Sequence, residues 1–408
     1  MARAIRFFDG LTYWAIIALP FFMSIAPALL STIEGFLIAG FLAKKALKRE
    51  LLFPKTGLNL VLLFFFLAAC FSFINTIDLN DSLKGLFKLA RYIMILFIMV
   101  QELRDRRHLE RIFIAVLAGL MMASMDSIWQ VATGRDFIRG YEPVVNLGMV
   151  RATASFKDSN ILGIYLSALA PLLFGLSLYY FEGRKKAVMF LLSLITLIAV
   201  LLTYSRPTLL AVYIAILLPA LVMKKKKIIV FMIVLALISP FIAPRAVKEW
   251  AKSVEYNPLR FVCNDDRIAV YRNSAHMIKD HPFIGVGVNT YMKNYGRYRE
   301  VVEYRGVVTK DYMYAHNNFI HMAGETGLVS LGIFLWLLWA LFAKSARIYK
   351  NLDDRYLKVF LLSLIACLAA FLVNGLTESS LYYSRVAVIF WYSAGMALAF
   401  RKFIYADK

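Results

Sequence analysis

Cysteine is scarce in this chain. Its three residues, Cys70, Cys263 and Cys367, cannot form a disulfide framework. Cys70 and Cys367 fall within apolar runs, where small apolar packing is the expected role; Cys263 has no neighbouring cysteine and is given no function. Histidine is also rare, at five residues, so proton-transfer chemistry near neutral pH has few possible sites. Charged residues make up only 18% of the chain, with 26 Asp and Glu against 47 Lys and Arg. No stretch resembles a nucleic-acid-binding module, so the excess of positive charge does not point to DNA or RNA. Strict apolar–polar alternation over short segments is missing, which excludes a transmembrane barrel. Residues 11–30 are too long for a cleaved signal's apolar region and lack a small-residue cleavage site, so no signal peptide is expected. The two halves show no obvious internal repeat of the kind many transporters carry.

What is present is apolar sequence, 61% of 408 residues. It recurs in runs near the ~20 residues a helix needs to cross a bilayer. Helices satisfy their own backbone hydrogen bonds in lipid, so the expected fold is an all-α polytopic membrane protein. Twelve spans are drawn near 11–26, 28–43, 57–74, 86–101, 112–132, 160–181, 187–203, 207–223, 228–244, 326–343, 357–376 and 384–400. The stretch 11–43 admits either one long helix or a hairpin at Pro27. With twelve spans, the short basic loops fall on one side: Lys44–Arg49, Arg104–Arg111, Arg184–Lys186, Lys224–Lys227, Lys344–Lys350 and Arg401–Lys402. The positive-inside rule makes that side cytoplasmic and puts both termini there. Much of the +21 charge is then topological, and the Lys224–Lys227 run reads as an anchor on anionic lipid. The opposite side receives 75–85, 133–159 and a large, mostly helical loop, 245–325, between spans nine and ten. The expected organisation is therefore 1–244 (nine spans), 245–325 (the loop) and 326–408 (three spans and a cytoplasmic end).

The large loop carries the chemistry. Residues 265–281 read as an amphipathic helix with Ile268, Tyr271, Ala275 and Ile278 on one face, stopped by His281-Pro282. Phe283-Ile284-Gly285-Val286-Gly287 follows as a turn that could bring backbone close to a ligand. Tyr295, Arg297, Tyr298, Arg299, Tyr304, Arg305 and Tyr312 suit either sugar stacking and anion contacts or an interfacial belt. Ala315–Leu328 then places His316, His321 and Glu325 at the mouth of a membrane helix. His316 is the candidate general base, because an imidazole titrates near neutrality and can take a hydroxyl proton. Asn317, His321 and Glu325 are candidate supporting residues. His316 and His321 are five apart, a spacing that implies no metal pair. Asp265 and Asp266 with His276 or His281 have no ligand-signature spacing either, and solvated carboxylates are the expected state.

Arg206 sits in the short outer turn Thr203–Pro207, against the orientation bias of the other cations. A charge at the membrane edge is a functional candidate, with a snorkelling side chain as the plain alternative. Arg385 breaks the same pattern and is expected to pair with Glu378 if it has no other task. With Arg267 and Arg272 heading the loop helix, these guanidinia could surround a multiply charged anion. The spans hold few buried charges, Glu34, Asp126 and Asn374 being the main polar intrusions, which argues against a transporter.

Taken together these residues resemble the O-antigen ligase and O-antigen polymerase superfamily of bacterial inner-membrane glycosyltransferases, and the ligases most. The resemblance runs over most of the chain. It rests on Phe156-Lys157-Asp158-Ser159-Asn160, Ser205-Arg206, the helix at Arg267, His281-Pro282-Phe283-Ile284-Gly285-Val286-Gly287, and His316-Asn317 with Gly327 beyond. The ligase pattern often has another glycine three residues after that one; this chain has Ser330 there, with Gly332 nearby. The resemblance implies metal-independent, inverting glycan transfer, with no cofactor, at the periplasmic face of the inner membrane. The donor would be a glycan on undecaprenyl diphosphate and the acceptor a sugar hydroxyl of the lipid A core. His316 would act as base, and Arg206, Arg267 and Arg385 would hold the diphosphate. A polymerase or a protein O-oligosaccharyltransferase of the same superfamily is the nearest alternative. A transporter or an envelope scaffold would be a different class, and a scaffold would leave His316 and Arg206 without a task.

Overall fold

A computed structural model describes residues 1–51, 53–146, 148–242, 245–253, 255, 257, 263, 265–299 and 310–404. Tyr304 and Arg305 lie outside the described residues. Helices α1 (Ala2–Phe22) and α2 (Pro27–Lys48) form a hairpin, with Pro27 in the first helical turn, where its missing N–H costs nothing. The chain continues through α3 (Asn59–Phe71), α4 (Leu79–Glu102), α5 (Arg106–Thr133), α6 (Ser159–Tyr179), α7 (Gly183–Leu202), α8 (Arg206–Val222) and α9 (Lys226–Ile242). Then come α10 (Arg245–Ser253), α11 (Asp265–Asp280), α12 (Tyr291–Tyr298), α13 (Asn318–Asn351), α14 (Arg355–Asn374) and α15 (Ser384–Ala399). A two-stranded hairpin, β1 (Val144–Asn146) and β2 (Met149–Arg151), pairs Val145 with Val150 between α5 and α6. Asp78, Asp105, Asp158, Asn317 and Asp354 each cap a helix by accepting from backbone N–H groups of the first turn.

A helix covers each of the twelve apolar segments, but among the described residues eight are both long and apolar enough to cross a membrane. α8 and α3 with its 3-10 extension to Asn75 are shorter apolar helices. α4 carries Lys84 and Lys88 in its first half and Arg91 at its middle. Arg91 reaches Glu34 of α2 at 3.1 Å, so the interior of the bundle holds more charge than the sequence reading counted. The core sits around α6, which packs on α14, α7 and α8, while α15 packs on α4 and α14.

The basic loops gather at one end of the bundle. Lys44 binds Glu102 and, at 3.2 Å, Asp9; Arg104 binds Asp9 at 2.7 Å. Arg106 meets Asp354 at 3.3 Å, Arg355 meets Glu182 at 3.1 Å, and Lys402 donates to the carbonyls of Gln101 and Leu103. The opposite end of the same helices carries the β-hairpin, α11, α12 and the start of α13.

The Gly285-Val286-Gly287 turn does not open toward a ligand; it docks on α13. Val286 N donates to Gly324 O at 3.0 Å, Gly287 N to Glu325 O at 2.9 Å and Leu328 N to Pro282 O at 2.7 Å. α13 is broken there, at Gly327 (φ 86°, ψ 169°), so carbonyls freed from the helix are taken up by the strap 282–287. A Cβ on Gly327 would run into the Phe283 carbonyl, and one on Gly285 into the Glu325 backbone. In α11 the buried stripe is Ala269, Val270, Asn273, Ser274 and Met277 rather than the face through Ala275. The stripe was hidden because two of its members are polar. Asn273 donates to Tyr295 Oη at 2.9 Å, and Ser274 Oγ lies 2.5 Å from Tyr291 Oη.

Candidate active site

His316 immediately precedes Asn317, the N-cap of α13, and adopts a left-handed backbone (φ 49°). Several contacts fix that corner. Asn317 Oδ1 accepts from Phe319 N and Ile320 N, while its Nδ2 donates to Leu376 O at 2.8 Å. Asn318, fully buried, donates from N to Gly375 O (2.7 Å) and from Nδ2 to Ser380 Oγ (2.8 Å), and its Oδ1 accepts from Leu381 N (2.9 Å). Tyr271 of α11 donates to His316 O at 3.0 Å. The start of α13 is thereby clamped to the turn between α14 and α15.

That turn carries Glu378, buried at 3% exposure. Its Oε2 lies 3.2 Å from His316 Nδ1, and its Oε1 binds the Arg267 guanidinium and accepts from Asn160 Nδ2 at 2.9 Å. Asn160 stands in the first turn of α6 behind its Asp158 cap, and its Oδ1 accepts from Arg151 at 2.9 Å. Burial alone would raise the Glu378 carboxyl, but Arg267 and His316 more than offset it and hold the group below the ordinary carboxylate range. A carboxylate only accepts hydrogen bonds, so Nδ1 of His316 carries the proton and Nε2 is left as the basic nitrogen. The imidazole is half-buried, with 27% of its side chain exposed.

Arg206, at the start of α8, lies within Coulombic reach of Arg267 and Arg151. The turn bearing it is braced from the hairpin: Arg151 Nε donates to Thr203 O at 2.9 Å, and Ala152 N to Leu202 O at 2.9 Å. Burial also draws the Arg151 guanidinium below its usual range, opposed by Asp158 and Glu378. Arg151, Arg206 and Arg267 thus share one end of the molecule with the buried Glu378 carboxylate. Such an arrangement favours an added anion.

The structure brings together His316, Asn317, Arg267 and Arg206, and it does not bring in the rest. Arg385 does not pair with Glu378. Its guanidinium is buried, donates to Met23 O (2.7 Å), Ser155 O (2.7 Å) and Ser155 Oγ (2.6 Å), and lies 3.5 Å from the Phe156 ring centre. It ties α15 to the α1–α2 turn and to the segment before α6, so its donors are turned inward. Arg272 stands exposed on α11. His321 is 1% exposed, stacked between Tyr382 (3.6 Å) and Tyr291 (4.3 Å), with Nδ1 3.1 Å from Ser379 Oγ. It braces the Glu378 turn from behind. Glu325 lies 3.6 Å from His321 Nε2, at the edge of that ring. Among the described residues no group of three His, Cys, Asp or Glu side chains could hold a metal ion.

Sequence reasoning missed Glu378 as the partner of His316. The signal available was its position: an acidic residue in the short turn Thr377-Glu378-Ser379-Ser380 between two apolar spans, where a solvated role has little room. Asn160 was part of a recognised motif but had no task.

Comparison with curated proteins gives no match. Residues 190–337, the stretch that holds Arg206, Arg267, His316 and Gly327, match the family model described as O-antigen ligase. With the bundle of apolar helices, that match supports a multi-pass membrane protein of the O-antigen ligase superfamily, glycosyltransferase-like in character.

Proposed function

We propose that the protein moves a glycan from undecaprenyl diphosphate to a sugar hydroxyl of the lipid A core, at the periplasmic face of the bacterial inner membrane. The observation that carries this reading is the Glu378–His316 pair beside Arg206 and Arg267. Glu378 accepts from Nδ1–H and orients the ring; Nε2 takes the acceptor's hydroxyl proton as its oxygen attacks the anomeric carbon. The bond to the diphosphate breaks with inversion, and the leaving diphosphate gathers charge that Arg206 is placed to stabilise. Arg267, already bound to Glu378, holds that carboxylate ionised and adds positive potential at the same place. Asn317 sets the corner from which His316 projects. Both termini are cytoplasmic on this reading. Residues 1–244 and 326–408 hold the twelve spans and 245–325 the periplasmic loop.

The test is transfer by purified protein from undecaprenyl-diphosphate-linked glycan to rough lipopolysaccharide, wild type against His316→Ala. A general base is worth about 10²–10⁴ in rate, so the variant should lose at least 10²-fold with unchanged melting behaviour. Longer polyprenyl-linked chains in place of modified lipopolysaccharide would make the enzyme a polymerase. Glycan on neither acceptor would sink the reading.

A further inference from the structure

Arg151 closes the β-hairpin, half-buried, and its guanidinium spans two parts of the site. Nε donates to Thr203 O at 2.9 Å, three residues before Arg206, and the next residue, Ala152, donates from N to Leu202 O at 2.9 Å. Nη2 donates to Asn160 Oδ1 at 2.9 Å, and Asn160 Nδ2 donates in turn to Glu378 Oε1 at 2.9 Å. Glu378 Oε2 then holds His316 Nδ1 at 3.2 Å. The direction of this chain is chemically fixed. A guanidinium only donates and a carboxylate only accepts, so the amide between them turns its oxygen to Arg151 and its nitrogen to Glu378. Reversed, it would set oxygen against oxygen at Glu378 and N–H against N–H at Arg151. The Asn160 backbone is held as well, its N donating to Asp158 Oδ1 at 2.7 Å. Arg151 and Glu378 thus leave the amide one orientation and polarise it, so that each bond strengthens the other.

We propose that Arg151 is a positioning residue for glycan transfer, setting the Arg206 turn and, through Asn160 and Glu378, the His316 ring from one planar fork. It acts through these groups and touches neither sugar nor diphosphate. The role rests on the reading of the site given under the proposed function. In an inverting displacement the attacking hydroxyl and the leaving diphosphate lie on opposite sides of the anomeric carbon. The groups that serve them, His316 and Arg206, must therefore keep a fixed separation, and a misplacement of about 1 Å costs about 10²-fold in rate. Lysine at this position would keep the charge, but a single ammonium on a flexible stem has no fork with which to hold both oxygens.

The experiment measures kcat and donor KM for transfer from undecaprenyl-diphosphate-linked glycan to rough lipopolysaccharide, with folded full-length protein in detergent. Arg151→Met should lower kcat about 10²-fold and move the donor KM less than about threefold. Arg151→Lys should be as slow as Arg151→Met. Asn160→Asp suits a first helical turn, yet it turns an acceptor on Glu378 and should lose at least about tenfold in kcat. The double variant Arg151→Met, Asn160→Ala should be no slower than Arg151→Met alone, because both changes break one chain. If the methionine variant fails to fold, Arg151→Lys and Asn160→Asp carry the test. Wild-type rates in Arg151→Lys would overturn the proposal, since charge without the fork would then suffice. So would a rise in donor KM that accounts for the whole loss, which would make Arg151 a phosphate ligand, or losses that multiply in the double variant. No transfer by wild type would remove the functional reading and the positioning role with it, whereas each of the other outcomes leaves wild-type transfer in place.

Discussion

Glu378 has three partners, and each does something different. Asn160 orients one oxygen, Arg267 neutralises the charge, and His316 is itself oriented by the other oxygen. Glu378→Gln keeps the shape but leaves the Arg267 charge without its counter-ion. Breaking a buried pair in this way costs about 3–5 kcal/mol. The pH dependence follows from the lowered pKa. The pair's stabilisation is fully present above the unfolded carboxyl's ordinary value of 4.5 and is lost as pH falls through the lower folded value. The difference in melting temperature between wild type and Glu378→Gln in detergent should therefore stay constant from neutrality to about pH 5 and shrink only at stronger acidity. Transfer should fall about 10²–10⁴-fold at all of these pH values, because the amide can offer Nδ1 the wrong partner and select the wrong tautomer. Should the stability difference shrink already near neutrality, Glu378 is not held ionised. At this scale the candidates His316, Arg206 and Arg267 were legible in the sequence as one of only five histidines, a cation against the orientation bias, and a basic residue heading the loop helix. Glu378 was not, since its contact with His316 spans 62 residues. Arg385 was misread for the same reason: its true partners, Met23 and Ser155, are far away in the chain and are backbone carbonyls and a hydroxyl that no charge pattern reveals.

At the scale of elements, the break in α13 is what lets one helix serve both the site and the bundle. The half before Gly327 is pinned by Asn317 and Asn318 to the Glu378 turn, and the half after it runs into the apolar core. The strap 282–287 takes up the backbone groups exposed by the break. Gly327→Ala would place a Cβ against the Phe283 carbonyl in a conformation that L-residues rarely adopt. Strained backbone of this kind costs about 1–3 kcal/mol before any clash is added. A loss of at least that size in chemical unfolding, with transfer reduced more than the folded fraction, is the expected result; Gly332→Ala, where a Cβ meets open space, should change neither. Equal effects at the two glycines would remove the strap from the account. Sequence located the strap, the α11 helix and its stop at His281-Pro282, because local residue types decide those. It could not say what the two strap glycines approach, because Gly285 fits against Glu325 on a later helix and Gly287 against Thr76, far earlier in the chain.

For the whole molecule, the argument turns on charge. Every basic loop whose contacts are described reaches the end where Lys44, Arg104, Arg106, Arg355 and Lys402 find their partners, and the Glu378 cluster is at the other. Lys and Arg in short loops are retained on the cytoplasmic side during insertion, so the clustering predicts which end faces which compartment. Lys185 and Glu142 are exposed at the basic and the site end respectively. In a background with Cys70, Cys263 and Cys367 replaced by serine, Glu142→Cys should react with a membrane-impermeant maleimide in cells whose outer membrane alone is permeable. Lys185→Cys should react only after the inner membrane is opened. The reverse pattern would put His316 in the cytoplasm, where a lipid A core acceptor assembled for export would have to be met before it crosses the membrane. Labelling of both in intact cells would mean that the two ends do not lie on opposite sides, and the span count drawn from the loops would fall with it. The expected pattern would leave much of the +21 charge explained by insertion, while the three guanidinia near Glu378 fall outside the positive-inside rule and would be accounted for by the anionic donor proposed above.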